Sequence, residues 1–218
     1  MSSLTARTPA WTIIVPVKQT TLAKSRLTGF DALTRQRLAV AFAQDTVTAA
    51  LACPDVARVA VVTDDPVGSL LSELGADVIP DVPNSGLNPA LRYAAQRVRH
   101  DDQHAAVAAL SADLPSLRPT DLSAAFRAGT GPRWFVSDLA GDGTTMLAAT
   151  AGQEFSPRFG SGSQAEHCAL GMVEVDSSDI ERLRRDVDTL SDLWDACRRG
   201  VGRWTTEVLA ATDRVGFA

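Results

Sequence analysis

WTIIVPVKQTTLAKSRL, residues 11–27, is the stretch whose reading decides the fold. Its first part, Trp11–Val17, is a short apolar run (Ile13, Ile14, Val15, Val17) of the kind that forms a buried strand. Three cations then arrive close together: Lys18, Lys24 and Arg26. No carboxylate precedes them or lies between them, although the whole chain carries a formal charge of −5. In an α/β sheet the loop leaving the carboxyl end of a strand is where ligands bind. Cations there point to an anionic ligand, of which phosphate is the commonest. The plain alternative is a solvated basic loop.

A length of 218 residues fits one domain, which we place at residues 11–218, after a polar, small-residue tail at 1–10 that reads as disordered. A chain of this size buries roughly 70% of its unfolded surface. Its net acidity argues against binding nucleic acid or an anionic membrane. Cys53, Cys168 and Cys197 are odd in number and widely spaced, so they form no CxxC motif and no disulfide framework. Free thiols fit a reducing cytoplasm. The first apolar run is too short for a signal-peptide core or a transmembrane helix. These readings describe a soluble cytoplasmic protein.

Strands and helices alternate along the chain. After the basic loop, Leu33, Leu38, Phe42, Val47 and Leu51 approximate one helix face that ends at Cys53-Pro54. Arg58–Thr63 is a second strand without alternation, as burial on both faces requires. Asp64-Asp65-Pro66 opens a helix stopped by Gly75, and Ala76–Ile79 is a third strand. PDVPNSGLNP, residues 80–89, is a loop into a helix with Pro89 in its first turn. Ala105–Leu110 is the most apolar strand. Thr120 is predicted to cap a helix reaching Ala128. Arg133–Val136 and Thr145–Thr150 flank a Gly-Asp-Gly turn and form a hairpin. Ser163–Leu170 is a short helix, Met172–Val175 a strand and Ser177–Arg184 helical. Thr189–Arg199 is a capped helix, Gly200–Gly202 a break and Thr205–Ala211 a last helix. This order predicts a three-layer α/β sandwich with a mostly parallel mixed sheet, the hairpin adding antiparallel pairing.

Asp113 lies just past the AAVAAL strand, so its carboxylate emerges at the ligand-binding edge of the sheet. A turn aspartate before Pro115 is the alternative. Asp186-Val187-Asp188 is predicted to be extended, with both carboxylates on one side, about 7 Å apart, and Val187 facing the core. Paired carboxylates repel unless a cation or solvent separates them. Hard oxygen ligands with open positions suit Mg²⁺, which bridges to phosphate; alternatively Asp188 caps the next helix. With the basic loop, these are parts for in-line attack on a nucleoside triphosphate. Gly86 and Asn88 offer a purine-edge pocket or an ordinary turn. Gly143-Thr144 and the glycine-rich run Arg158–Ser163, which enters a helix, predict a second anion site for an acceptor. His100, His104 and His167 show no ligand spacing and read as surface or helix-end residues. Neither GxxxxGK[ST] nor GxGxxG occurs.

Six ordered motifs carry a resemblance: VPVK…AKSRL at 15–27, SGLNPAL at 85–91, LSADLPSL at 110–117, GDGTTML at 141–147, SPRFGSGS at 156–163 and DVDTLSDL at 186–193. Over about residues 11–199 the chain resembles the phosphoenolpyruvate / 2-phospho-L-lactate guanylyltransferases of coenzyme F-420 biosynthesis. The resemblance implies a nucleotidyltransferase (nucleotide-diphospho-sugar transferase-like) fold. It implies attack of the acceptor's phosphate on the α-phosphorus of GTP, with pyrophosphate leaving and enolpyruvyl- or lactyl-diphospho-5′-guanosine formed. Carried over by position, Asp113, Asp186 and Asp188 would bind Mg²⁺, and Lys18, Lys24 and Arg26 the triphosphate. Gly86 and Asn88 would meet guanine. Thr144, Gly160 and Ser163 would hold phosphoenolpyruvate or 2-phospho-L-lactate. The glycine-rich first loop of the wider superfamily is replaced by the Lys/Arg loop. Ala- and Arg-rich composition with little Lys fits a GC-rich bacterium, which favours phosphoenolpyruvate.

Two other readings stand beside this one. The first is a nucleotidyltransferase of the same fold acting on a sugar phosphate or a pterin cofactor. The second is a non-catalytic nucleotide-binding module, which retention of all three aspartates opposes. The apolar tail (Trp204, Val208, Leu209) packs either on the core or on a second subunit, so a homodimer is expected as one possibility.

Overall fold

The apolar runs become strands because helices cover the sheet on both faces, where only uninterrupted apolar sequence is tolerated. The computed structural model describes residues 11–17, 24 and 26–215. The tail at 1–10 and Lys18 lie outside the described residues. The strands are β1 (Trp11–Pro16), β2 (Val56–Val62), β3 (Asp77–Ile79), β4 (Ala106–Leu110), β5 (Arg133–Ser137), β6 (Thr144–Ala149) and β7 (Val173–Glu174). They form one sheet in the order β3-β2-β1-β4-β6-β5-β7. β6 runs antiparallel to its neighbours β4 and β5, and the other pairings are parallel. The predicted hairpin is therefore present, and it lies inside the sheet.

Alternate strand residues feed two cores. Ile13, Val15, Val59, Val61, Ala108, Leu110, Val136 and Met146 pack on one face. There they meet α1 (Ala32–Leu51), α2 (Val67–Glu73) and α4 (Pro119–Ala128). Ile14, Ala60, Val107, Ala109, Phe135 and Leu147 pack on the other face against α3 (Leu87–Asp101). The first core is closed beside β5 by a 3-10 segment, Ser178–Arg184, through Ile180 and Leu183. Among the described residues, no helix is long and apolar enough to cross a membrane.

A third, smaller core joins Leu27, Leu38, Phe42 and Val187 to Leu193 and Ala196 of α6 (Leu190–Arg199). Val208 and Leu209 of α7 (Arg203–Val215) pack against it, so the C-terminal tail covers the chain's own core. The buried Asp45 carboxylate fixes the start of α7 by accepting from the backbone N–H groups of Trp204 (3.0 Å) and Thr205 (2.9 Å). A Cβ at position 202 would lie 2.2 Å from Asp45 Oδ1, so only glycine fits the break that lets α7 turn in.

Two local expectations are corrected. Thr120 lies inside α4, whose first residue is Pro119. Pro suits that position because its missing N–H needs no partner, and Asp121 accepts from Arg118 N–H at 2.8 Å. Leu33 is exposed, and the buried face of α1 begins at Leu38.

Candidate active site

The parallel strands β1 and β4 are adjacent at the middle of the sheet, so the loops at their carboxyl ends converge. Lys24 and Arg26 arrive from the first and Asp113 from the second. Thr46 of α1, fully buried, brackets Asp113. Its hydroxyl donates to the Ala112 carbonyl (3.2 Å) and accepts from Leu114 N–H (3.1 Å). On the other side, Val187 N–H donates to the Asp113 carbonyl at 3.0 Å. Val187 is fully buried, which turns Asp186 and Asp188 away from the third core, as the extended i, i+2 pattern predicts.

The sequence assigns Lys24 to the triphosphate. In the structure its ammonium sits between two carboxylates, 2.5 Å from Asp113 Oδ2 and 2.9 Å from Asp188 Oδ1. Lys24 has φ +60°, a conformation that side-chain-bearing residues seldom adopt. Burial lowers its pKa, but Asp113 and Asp188 outweigh this and hold it above the ordinary lysine value. Arg26 is exposed and reaches Asp188 at 3.7 Å. Among the described residues, no cation pairs with Asp186 in this way. Burial, then the charges of Asp113, Asp188 and Asp138, push its carboxyl up to about 7. Among the described residues, no three His, Cys, Asp or Glu side chains already converge as a metal cage. The donor set nevertheless fits a hard divalent cation. It holds three carboxylates, one of them under like-charge pressure, with an ammonium standing where positive charge is required.

Farther along the same edge, Asp138 ends β5 and closes the turn into β6. Its carboxylate accepts from Asp142 N–H (3.0 Å) and Gly143 N–H (2.9 Å). A Cβ at position 143 would lie 2.5 Å from that carboxylate. The glycine-rich loop 157–162 leads into α5 (Ser163–Ala169), with Gly160 at φ +133° and Gly162 at φ +74°. Here the anion site expected from the sequence already meets a carboxylate. Asp142 Oδ2 accepts from Ser161 Oγ (3.0 Å) and Gly162 N–H (3.1 Å). Asn88, expected at guanine, is tied to the same loop. Its amide donates to the Phe159 carbonyl (3.0 Å) and accepts from Phe159 N–H (2.8 Å). Gly86, at φ +113°, is the residue before α3.

Thr144 and Ser163, expected at the acceptor, meet in a buried network. Ser163 Oγ donates to Thr144 Oγ1 at 3.0 Å, and His167 Nδ1 lies 3.0 Å from the same oxygen. His167 Nε2 accepts from Arg158 N–H at 3.0 Å. The ring is fully buried, flanked by Phe135 and Phe159, in the last turn of α5, so of the two readings, surface or helix end, the helix end holds. Burial, then the Arg158 charge, lower its pKa to about 4, so it is neutral at pH 7.

A family description, guanylyl transferase CofC like, matches residues 11–214. The chain belongs to this guanylyl transferase family. The phosphoenolpyruvate guanylyltransferase of Streptomyces coelicolor is 52% identical over 204 residues, covering 92% of this chain and 96% of that protein. In fold, the chain is similar to a candidate nucleotide-diphospho-sugar transferase from Desulfovibrio desulfuricans G20. The TM-score is 0.67 at 15% identity, over 94% of this chain and 96% of that one. A nucleotidyl transferase from Methanothermobacter thermautotroptrophicus gives a TM-score of 0.60 at 16% identity, over 87% and 97% of the two chains. The chain is a nucleotidyltransferase with the fold expected from its sequence.

Sequence reasoning gave no site role to two residues that hydrogen-bond into this arrangement in the guanylyl transferase, Thr46 and His167. Thr46 was detectable as a polar residue beside Asp45 and Val47 on the inward stretch of a helix. His167 stands four residues after Ser163, a spacing that puts both on one helical face.

Proposed function

We propose that the chain transfers GMP from GTP to phosphoenolpyruvate, releasing pyrophosphate and giving enolpyruvyl-diphospho-5′-guanosine. The observation that carries the proposal is the meeting of Lys24, Asp113 and Asp188 at the sheet edge that also presents Thr144 and Ser163. The names of curated relatives, including that of Streptomyces coelicolor, favour phosphoenolpyruvate over 2-phospho-L-lactate.

In this reading an acceptor phosphate oxygen forms a bond to the α-phosphorus of GTP. The bond from that phosphorus to the β-phosphate's bridging oxygen breaks, and its electron pair leaves with pyrophosphate. The acceptor phosphate is already ionised at neutral pH, so no general base is required. Catalysis is positioning and charge neutralisation. Asp113, Asp186 and Asp188 would hold a divalent metal. When bound, that metal supplies positive charge against the polyphosphate. Lys24, Lys18 and Arg26 would supply the cations that meet phosphate. Gly160, Thr144 and Ser163 frame the acceptor, and Gly86 leaves backbone room for guanine. Asn88 holds the acceptor loop through Phe159. Magnesium as the particular metal, a homodimer, the cytoplasm as compartment and a single domain over residues 11–218 belong to the same proposal.

The test is pyrophosphate release with GTP, Mg²⁺ and each acceptor in turn: phosphoenolpyruvate, 2-phospho-L-lactate, 3-phosphoglycerate and a sugar 1-phosphate, with ATP as the nucleotide control. Turnover with GTP and phosphoenolpyruvate is expected. Turnover confined to the sugar phosphate, or equal with ATP, would sink the proposal.

A further inference from the structure

The network around Thr144 has a direction that the heavy-atom positions determine. A backbone N–H only donates, so Arg158 N–H, 3.0 Å from His167 Nε2, requires a lone pair on that nitrogen. A neutral imidazole then carries its one proton on Nδ1. Nδ1 lies 3.0 Å from Thr144 Oγ1, so it donates there. Ser163 Oγ donates to the same oxygen at 3.0 Å. Thr144 Oγ1 thus receives two hydrogens, one on each lone pair, and its own proton must go to a third atom. Among the described residues no acceptor takes it. Thr144 is 7% exposed, whereas Ser163 and His167 are fully buried, so the hydroxyl is the rim of the network.

We propose that His167 is a positioning residue that locks the Thr144 hydroxyl as an obligate donor to an anionic oxygen of the acceptor, a phosphorylated three-carbon carboxylate. The assignment of this pocket to the acceptor rests on the proposed function; the direction of the hydrogen bonds does not. The arrangement explains why a buried histidine is used where no proton transfer is called for. The ring anchors the backbone of the glycine-rich loop at Arg158 with one nitrogen and orients a hydroxyl with the other. A hydroxyl barred from accepting favours an ionised oxygen over a neutral hydroxyl or amide, because a preset donor bonds an ionised acceptor about twice as strongly as a neutral one. The low proton affinity of the buried ring keeps it neutral through the physiological range, and the Arg158 N–H holds the tautomer.

Two measurements test this. The first is ¹⁵N NMR of histidine-labelled wild-type protein at pH 7. The chain has three histidines, and the His167 signal is expected to show a protonated Nδ1 and a lone pair on Nε2. A protonated Nε2, or a doubly protonated ring, overturns the proposal, and no variant has to fold for that result. The second is a set of Michaelis constants. His167→Gln keeps an acceptor for Arg158 N–H near the Nε2 position but removes the Nδ1 donor. It is expected to raise KM for phosphoenolpyruvate about tenfold or more while leaving KM for GTP unchanged. His167→Asn restores an N–H near the Nδ1 position and is expected to recover part of that loss. An unchanged acceptor KM in His167→Gln, or a fall in kcat alone, overturns the proposal. Absence of guanylyl transfer to phosphoenolpyruvate by the wild type would instead overturn the proposed function, with the NMR result still standing.

Discussion

One edge of the sheet carries two sites built on opposite principles. Around Lys24, three carboxylates and an ammonium are crowded into a partly exposed cleft. Their positions are a balance of attraction and repulsion that another cation can reset. Around Thr144, the partners are neutral and buried, and each hydrogen bond has one permitted direction. The comparison teaches how a transfer between two phosphorylated molecules divides its labour. Under the proposed function, the charged cluster would face the triphosphate and manage variable charge. The Thr144 network would face the acceptor with fixed donors, whose reorganisation was completed on folding.

Asp188→Asn breaks the charged site most directly. It removes one charge from the cleft and weakens the hold on Lys24, and turnover is expected to fall about a thousandfold or more with the fold intact by circular dichroism. Wild-type turnover in this variant would show that the carboxylate is not part of the chemistry.

Lys24→Met asks whether the ammonium stands in for a metal. Without its counter-ion the carboxylate cluster should destabilise the protein by about 1 to 3 kcal/mol in EDTA. Added Mg²⁺ should then raise the melting temperature more in the variant than in wild type. An equal rise in both would separate Lys24 from the metal site.

Thr46→Val keeps the volume of a buried side chain but removes both bonds that bracket Asp113. Stability is expected to fall by about 1 to 3 kcal/mol. kcat is expected to fall about tenfold, because the aspartate loses its alignment. Thr46→Ser should restore most of both, as read by denaturant titration and initial rates.

The smallest effect is a pair of opposed pH slopes, measured as unfolding free energy in EDTA. His167 holds a folded-state pKa of about 4 against an ordinary 6.5. Between those values the unfolded chain binds a proton that the folded chain refuses, so this contribution is complete above pH 6.5 and falls as the pH drops. Asp186, at about 7 against an ordinary 3.8, acts the other way. Its contribution is complete below pH 3.8 and is lost as the pH rises through 7. Each slope is at most about 1.4 kcal/mol per pH unit, and the two offset each other between pH 4 and 6.5. His167→Gln should leave stability falling with pH in that window, and Asp186→Asn should leave it rising. A flat profile in Asp186→Asn would mean that His167 is not held neutral.

Strands β1, β2 and β4 were legible because a strand covered on both faces has to be apolar throughout. The inward turn of Val187 was legible because side chains alternate. Asp113 could be picked out because a carboxylate after a buried strand emerges at the ligand edge, and the Asp186/Asp188 pair because residues i and i+2 of an extended segment share one side. Thr46 and His167 left only a faint local signal and Asp45 none, and the partners of all three were not legible. Each is a polar residue on a helix whose partner lies far along the chain or across a loop: Thr46 at Ala112 and Leu114, Asp45 at Trp204 and Thr205, His167 at Thr144 and Arg158. The tie of Asn88 to Phe159 was not legible for the same reason, because its partner lies across a loop 71 residues along the chain.

By itself the sequence determined the layers, the mixed sheet, the family and the residue types at the site, because these follow from periodicity, chain order and local motifs. Only the tertiary structure decided that Lys24 pairs with Asp113 and Asp188, that the C-terminal helix closes over the chain's own core, and that a buried histidine directs Thr144. Those outcomes depend on which polar groups meet after burial, when each donor must find an acceptor and each charge a counter-charge.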